Sequence, residues 1–356
     1  MQKLYLTENY LVVSVAPRST ASGEFNILDV GCQHKGIEIC EHRRRLPVGS
    51  AWYFDCCGDM MAIGNEDWGI RVWNLTTGKK CLTFTGHTDA IMGVLYPTPN
   101  TIISGARDGG LIVWDVPSGT RRYTLSNGDS KIVPLKAHDS MLVSATHDGV
   151  ARIWDLQTGQ CTHVLQGHRE RVSRAGFNAD GSLLATGAHP GEMKIWNTKT
   201  GACLATCHGH TKVPTQFSTH PGSPGLLVSA SADGSIRTWE WATGAPVRTL
   251  SAGDAAVTNN ALRGFAWAQD YMVTGSMNGL LCAWDRYTDQ FSFELRERNS
   301  AVFQFASRGN LVAVNVRGSE EGEWLVELYD MSALDRVQTR STNVDEDLGG
   351  ASLVKI

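Results

Sequence analysis

The stretch WDLQTG at residues 154–159 belongs to a series of related segments that recur along the chain. WNLTTG at residues 73–78 and WDVPSG at residues 114–119 repeat its opening Trp and its closing Gly. Six such Trp residues follow one another at intervals of 41, 40, 42, 43 and 45 residues: Trp73, Trp114, Trp154, Trp196, Trp239 and Trp284. A period of about 40–45 residues that ends in Trp-Asp is typical of repeated four-stranded sheets.

A glycine in phase with the Trp supports the same period. Five of the Trp residues are followed, five positions later, by Gly78, Gly119, Gly159, Gly201 and Gly244. Such a glycine supplies the positive φ that closes a short hairpin between the third and outer strands. Leu28-Asp29 and Tyr329-Asp330 extend the series by 45 residues at either end. Because two apolar strands precede each marker and no long amphipathic helix intervenes, the sequence predicts an all-β fold of eight four-stranded units rather than seven.

The period and the Trp-Asp ends resemble those of the WD-repeat family over residues 1 to about 340. The resemblance implies a β-propeller in which residues 1–340 form one domain of eight blades. Residues 341–356 are then an acidic linker followed by a short strand from Ala351 to Ile356. That strand either closes the ring by supplementing the first blade or forms a loose tail.

The resemblance also implies a hydrogen-bonded set of a His, a Ser or Thr, an Asp and the Trp indole. Two units carry all four residues, namely His87, Ser104, Asp108 and Trp114, and His210, Ser229, Asp233 and Trp239. Hydrolases use the same residue types, but here the Ser lies in mid-strand without a strained elbow or oxyanion donors. We therefore interpret both sets as structural and predict no catalytic residue.

Four units depart from this set. Pro190 takes the place of the Asp in the fifth unit, although His168 and Thr186 remain. The fourth and seventh units have Gly-Asp where Gly-His is expected, and Ile63 replaces the Ser of the second unit. We expect these four units to depend on packing alone.

Composition argues against several classes of protein. The net charge of −4 and pI near 6.3 do not suit the broad basic surface of a nucleic-acid binder. The sequence shows neither a run of about 20 apolar residues nor the features of a secretion signal. The nine cysteines are an odd, scattered set, which predicts a reduced protein of the cytoplasm or nucleus. Three of them begin outer strands at matching positions and are predicted to be buried: Cys81, Cys161 and Cys203.

One group of residues has the ligand types of a zinc site, namely Cys203, Cys207, His208 and His210. A spacing of four residues on one strand separates the two cysteines by about 13 Å, too far for one ion with ligand distances of about 2.3 Å. The glycine-rich turns lie between strands and therefore cradle no phosphate. We predict no metal and no cofactor.

The surface is therefore expected to carry the function. The resemblance implies that the turns between second and third strands, with the loops that lead into the inner strands, form a partner-binding rim. Three consecutive units carry cations there, namely Arg107, Lys131, His147, Arg171 and His189. We predict that this rim binds an acidic or phosphorylated segment of a partner protein, with Arg107 as anchor. Ordinary variation of a solvated surface is the alternative.

Two classes of function remain, a protein-interaction scaffold and an enzyme. Residues 158–168, TGQCTHVLQGH, resemble the propellers that follow an F-box, which implies a substrate-recognition or adaptor subunit of a complex such as a ubiquitin ligase. No F-box helices occur here, so another chain would have to supply that link. A structural or transport scaffold in ciliary, cytoskeletal or RNP assembly fits equally well. An enzyme is least favoured, because no acid, base, nucleophile or metal set converges.

Overall fold

The computed structural model describes residues 4–6, 10–15, 24–33, 36–47, 51–65, 67–126, 132–146, 148–250, 261–268, 270–296, 302–317, 324–331 and 351–355. Within these ranges, 32 β-strands form eight antiparallel sheets of four strands, and each strand pairs with its neighbours in sequence. The number of sheets agrees with the eight predicted units. The strands that carry Leu28-Asp29 and Tyr329-Asp330 are the third strands of the first and last sheets.

The first four sheets contain the strands up to Leu165. Sheet 1 has β1 (Leu4–Leu6), β2 (Tyr10–Val15), β3 (Glu24–Gln33) and β4 (Gly36–Pro47). Sheet 2 has β5 (Ala51–Cys57), β6 (Met60–Asn65), β7 (Ile70–Asn74) and β8 (Lys79–Phe84). Sheet 3 has β9 (Ile91–Thr98), β10 (Thr101–Ala106), β11 (Gly110–Asp115) and β12 (Thr120–Ser126). Sheet 4 has β13 (Ile132–His138), β14 (Met141–Thr146), β15 (Ala151–Asp155) and β16 (Cys161–Leu165).

The remaining four sheets repeat the same order. Sheet 5 has β17 (Val172–Phe177), β18 (Leu183–Ala188), β19 (Met193–Asn197) and β20 (Cys203–Cys207). Sheet 6 has β21 (Pro214–His220), β22 (Ser223–Ser231), β23 (Ile236–Glu240) and β24 (Pro246–Leu250). Sheet 7 has β25 (Leu262–Ala268), β26 (Tyr271–Ser276), β27 (Leu281–Asp285) and β28 (Phe291–Arg296). Sheet 8 has β29 (Val302–Arg308), β30 (Leu311–Arg317), β31 (Trp324–Asp330) and β32 (Ala351–Lys355).

The strands are packed into two compact units. Unit 1 comprises Met1–Pro47 and Ala252–Ile356, and unit 2 comprises Val48–Ser251. In unit 2 the first strand of each sheet contacts the first strand of the next, from β5 to β21. In unit 1, β29 contacts both β25 and β1 in the same way. The first strand is therefore the inner strand of each sheet, and the fourth is the outer one. The single domain of residues 1–340 stays a prediction.

Burial falls from the second strand to the fourth, as the residue pattern requires. In β10, β14 and β18 every residue after the first is buried, because these continuous apolar runs are covered on both faces. Within each unit, the cores lie between consecutive sheets. Between sheets 5 and 6, for example, Ile195 and Met193 pack with Trp239 and Trp241. Apolar contacts between their faces thus hold the consecutive sheets of a unit together.

The outer strands explain why the cysteine prediction was wrong. Cys81, Cys161 and Cys203 are exposed, and all three lie at the beginning of an outer strand. Only the last residue of such a strand is buried in sheets 2, 4 and 5. The period correctly predicted that the three cysteines occupy equivalent positions. Because those positions lie on outer strands, all three side chains are exposed.

The hairpin glycines behave as predicted. The five glycines from Gly78 to Gly244 that follow a Trp by five residues have φ between 65° and 73°. Gly78 N donates to Asn74 O at 2.9 Å, and the other four make the equivalent bond. Each therefore closes the turn between a third strand and an outer strand.

The strand predicted at residues 351–356 lies in an unexpected place. Ala351–Lys355 pairs with Leu325–Tyr329 of β31 and is the outer strand of sheet 8. It is therefore neither a supplement to the first sheet nor a loose tail. Residues 331–350 separate the two strands, so the regular spacing of the repeat gives no sign of this pairing.

Candidate partner-binding rim

The complete set of sheet 3 forms the predicted hydrogen-bonded chain. Ser104 Oγ accepts from Trp114 Nε1 at 2.8 Å and lies 2.7 Å from His87 Nε2. On the other side of the ring, His87 Nδ1 lies 3.0 Å from Asp108 Oδ2. Because the carboxylate can only accept, Nδ1 carries the proton and Nε2 accepts from the Ser hydroxyl. All the buried polar atoms of the set are therefore satisfied.

Sheet 6 repeats this geometry closely. Ser229 Oγ accepts from Trp239 Nε1 at 2.8 Å and lies 2.8 Å from His210 Nε2, while His210 Nδ1 lies 2.9 Å from Asp233 Oδ2. Ser104 and Ser229 are both fully buried, with 0% exposure. No substrate can therefore reach either hydroxyl in the folded protein. The arrangement has the residue types of a hydrolase triad, but its hydroxyl is already bonded to the His and to the Trp of the same sheet.

The fifth unit corrects one expectation. The Asp missing at Pro190 is replaced by Glu192, whose Oε2 lies 2.6 Å from His168 Nδ1. Thr186 Oγ1 lies 2.6 Å from His168 Nε2 and accepts from Trp196 Nε1 at 2.7 Å. The prediction that this unit depends on packing alone was wrong. The longer Glu side chain reaches the His from two positions further along, and an acidic residue close to the vacant position was the available signal.

The other incomplete units keep part of the set. Trp154 Nε1 donates to Ser144 Oγ at 2.8 Å, and Trp284 Nε1 donates to Thr274 Oγ1 at 3.0 Å, although both units lack the His. Packing alone was therefore the wrong expectation here too. For the second unit it was right, since the buried Trp73 Nε1 has no hydrogen-bond partner among the described residues.

Acidification is expected to destabilise the protein through the buried histidines. Burial lowers the pKa of His87 and His168, and this effect outweighs the opposing effects of Asp108 and Glu192. A group whose pKa is lower in the folded state stabilises the fold above its unfolded pKa, and that stability is lost as the pH falls. We therefore expect a thermal midpoint that falls as the pH drops below about 6.5, the unperturbed pKa of histidine.

Calorimetry over a pH series would measure this fall. The matched variant is His87→Asn with His168→Asn, whose midpoint should depend less on pH over the same range. If the wild-type protein and the variant showed the same dependence, these two histidines would not be its source.

The rim loops lie at one end of each sheet. In an antiparallel sheet of consecutive strands, the start of the inner strand and the turn between the second and third strands are at the same end. Arg107 follows β10, Arg171 precedes β17 and His189 follows β18, and all three are exposed. Lys131 and His147, the other two predicted rim residues, lie outside the described residues.

The structure places two of these residues on one segment of the rim. His189 N donates to Arg171 O at 3.4 Å, so both residues belong to one rim segment of sheet 5. Arg107 occupies the equivalent turn of sheet 3, where its N–H donates to Ala90 O at 2.9 Å. Arg171 and His189 are therefore neighbours in sheet 5, whereas Arg107 lies two sheets away in sheet 3.

A further arginine near this rim escaped the sequence analysis. Arg174 is the third residue of β17 and is exposed. Its Nε donates to Thr215 O at 2.7 Å. Desolvation lowers the pKa of Arg174, and the positive charge of nearby Arg171 lowers it further. An arginine on an inner strand was the only signal in the sequence.

The described residues hold no group of three or more His, Cys, Asp and Glu that could bind a metal ion. Cys203 is exposed and Cys207 is buried, and burial raises the pKa of Cys207 to about 11. His210 is already engaged by Ser229 and Asp233. In the described part of the chain, no helix is long and apolar enough to cross a membrane.

A family model described as "WD domain, G-beta repeat" matches residues 78–115, 159–197 and 201–240. Each match ends at a Trp and the residue after it: Trp114, Trp196 and Trp239. The chain is a WD-repeat protein. These repeats indicate a protein-interaction scaffold.

Relatives of this WD-repeat protein match it over part of their length. The WD repeat-containing protein pop1 of Schizosaccharomyces pombe is 28% identical over 222 residues, which are 48% of this chain and 27% of pop1. The Cell division control protein 4 of Saccharomyces cerevisiae is 36% identical over 91 residues, 25% of this chain and 12% of that protein. The chain therefore spans about a quarter or less of the length of these relatives.

A solved structure shows the same fold. The crystal structure of the computationally designed Ika8 protein aligns with a TM-score of 0.75 at 24% identity, over 91% of this WD-repeat chain and 94% of that one. At this identity the likeness concerns the fold alone. Together with the matched repeats, it confirms the predicted class, an all-β WD-repeat β-propeller.

Proposed function

We propose that this WD-repeat protein binds an acidic or phosphorylated segment of a partner protein on the rim of sheets 3 to 5. It acts without catalysis, as a substrate-recognition or adaptor subunit of a larger complex such as a ubiquitin ligase. The adaptor role rests on the resemblance of residues 158–168 to propellers that follow an F-box. The binding chemistry rests on the charges of the rim.

The proposal rests on a difference between the acidic and the basic side chains of the rim loops. The acidic side chains of the turns are bonded within the protein: Asp108 and Asp233 to His rings, Glu192 to His168 and Lys194, Asp67 to Arg71. The cations are free by comparison. Arg107, Arg169 and Arg171 form no ion pair with any described residue. Exposed Glu170 is their one acidic neighbour within residues 166–171.

A rim of this kind suits an anionic ligand for a simple electrostatic reason. Internal hydrogen bonds occupy oxygens of Asp108, Asp233 and Glu192. Arg107, Arg169 and Arg171 have no such ion-pair partner among the described residues, so they are available to an anion from outside. A guanidinium grips a carboxylate or a phosphate with two parallel hydrogen bonds, which gives Arg107 and Arg171 their role. His189 lies beside Arg171 and adds a third polar group.

Charge reversal on the rim tests the proposal. The probe is a library of synthetic peptides of about 12 residues with a central phosphothreonine, glutamate or alanine and random flanks. We expect the wild-type protein to select the acidic peptides, and more weakly as salt rises. Arg107→Glu with Arg171→Glu should weaken this binding about 100-fold or more, since charge-assisted hydrogen bonds contribute ~1.5–3 kcal/mol each. Its thermal midpoint should stay nearly unchanged, because both side chains are exposed.

The matched control reverses two exposed charges at the opposite end of the sheets. Lys79 begins the outer strand of sheet 2, and Lys199 lies in the turn between β19 and β20. Lys79→Glu with Lys199→Glu should leave peptide binding intact. The proposal fails if the wild-type protein has no preference for acidic peptides, or if the control weakens binding as much as the rim variant.

We place this function in the cytoplasm or the nucleus as part of the same proposal. The seven cysteines whose side chains the structure describes are all free thiols, which suits a reducing compartment. Fractionation of cells that express the protein would test the location, and recovery with secreted proteins would contradict it.

A further inference from the structure

Trp68 occupies a turn position that belongs to glycine elsewhere in the chain. The turn between second and third strands has a glycine with φ of 80° to 91° in sheets 3, 4, 6 and 7, namely Gly109, Gly149, Gly234 and Gly279. In sheet 2 the same position holds Trp68, with φ of 63°. A bulky side chain in this left-handed region is a strained exception.

The turn of sheet 2 does not need the indole. Its backbone is closed by Trp68 N donating to Asn65 O at 3.1 Å. The Asp67 carboxylate accepts from Gly69 N at 3.3 Å and pairs with Arg71. Trp68 itself is 46% exposed, so burial offsets only part of the strain. A residue that is both strained and exposed is more readily explained by an external contact than by folding.

Arg107 lies in the equivalent turn of the adjacent sheet. A Cβ placed on Gly69 would lie 3.4 Å from Phe84 O, at the end of β8. The chain continues from Phe84 along residues 85–90, and Ala90 O accepts from Arg107 N at 2.9 Å. One short segment thus connects the two turns, and Trp68 and Arg107 face the same end of neighbouring sheets.

We infer that Trp68 is an apolar anchor for the partner segment proposed to bind Arg107. The partner then carries an acidic or phosphorylated residue for the guanidinium and, a few residues away, an apolar side chain that packs on the indole. This inference rests on the proposed function and specifies its ligand. Aromatic and Arg side chains are the residues in which binding energy most often concentrates.

The charges of the turn favour an apolar side chain over a cation at the indole. An exposed Trp can also bind a Lys or Arg through its ring face. Here the nearest described carboxylate, that of Asp67, is already neutralised by Arg71 and bonded to Gly69 N. The described turn therefore presents an apolar surface with no free negative charge.

The test uses Trp68→Gly, which places in this turn the glycine found at the same position in sheets 3, 4, 6 and 7. Because glycine adopts this φ without strain, the variant should be as stable as the wild-type protein or more stable. Screened against the phosphothreonine-centred peptide library, it should still prefer acidic peptides but lose the selection for an apolar flank. Affinity for the best wild-type peptide should fall about 10- to 100-fold.

Two further variants separate a binding role from a folding role. Trp68→Asn also tolerates the left-handed region and should behave like Trp68→Gly. Trp68→Phe keeps an aromatic ring and should keep most of the selection for an apolar flank. If both small variants were instead less stable than the wild-type protein and bound peptides equally well, Trp68 would be a structural residue and the inference would be wrong.

The same screen distinguishes this inference from the proposed function. No acidic preference in the wild-type protein would overturn the proposed function and the inference with it. An acidic preference without a flank selection, or a flank selection that survives in Trp68→Gly, would overturn the role of Trp68 alone.

Discussion

Replacing Ser229 by Ala is expected to destabilise the protein by ~1–3 kcal/mol for each buried polar group that loses its partner. Two such groups depend on the Ser229 hydroxyl, the indole N–H of Trp239 and Nε2 of His210. Asp233→Ala should have a similar effect, since it removes the acceptor for His210 Nδ1 and for the N–H of Thr211.

Urea unfolding midpoints would measure both effects. The control is His189→Ala, because His189 is exposed and its replacement should cost less than about 0.5 kcal/mol. Equal midpoints for the three variants would show that the His-Ser-Asp-Trp set does not stabilise the sheet.

Gly191→Ala is expected to have an effect of comparable size for a different reason. A Cβ at Gly191 would lie 2.8 Å from the carbonyl carbon of His210 and 3.0 Å from Lys212 O, and closer still to His210 O. These atoms are backbone, so the loop of sheet 6 would have to move. Overpacking of this kind typically costs ~1–3 kcal/mol.

Gly225→Ala is the matched control for that prediction. Gly225 lies in β22, and nothing comes within 4 Å of a Cβ placed on it. Its replacement should leave the urea midpoint unchanged or raise it slightly. An unchanged midpoint for Gly191→Ala would mean that the two loops are not held in the close contact described.

The repeat made most of the strands predictable. A Trp and a Gly at constant separation mark the third strand and its hairpin, so the sheets could be placed from the sequence with two residue types. The complete sets of His87 and His210 could be named for the same reason, because their four members recur at similar spacing.

The features that sequence reasoning missed are those that break the repeat. Glu192 acts from two positions beyond the expected Asp, because side-chain length compensates for the shift. The strand β32 pairs across a long gap in the sequence, which no local pattern encodes. Trp68 was overlooked because its unusual feature is a positive φ, which glycines adopt at the same position in other units and which the sequence does not show. Each depends on a distance that exists only after folding.

The contact between β1 and β29 has a consequence for the order in which the chain folds. Leu6, at the end of β1, precedes Val302, at the start of β29, by 296 residues. At ordinary rates of translation, the ribosome needs about 15–60 s to synthesise that length. Sheets 3 to 6 each pack on the sheet made just before, so they can fold in step with synthesis. Sheet 1 emerges first but gains its neighbour β29 only when the last sheet has been translated.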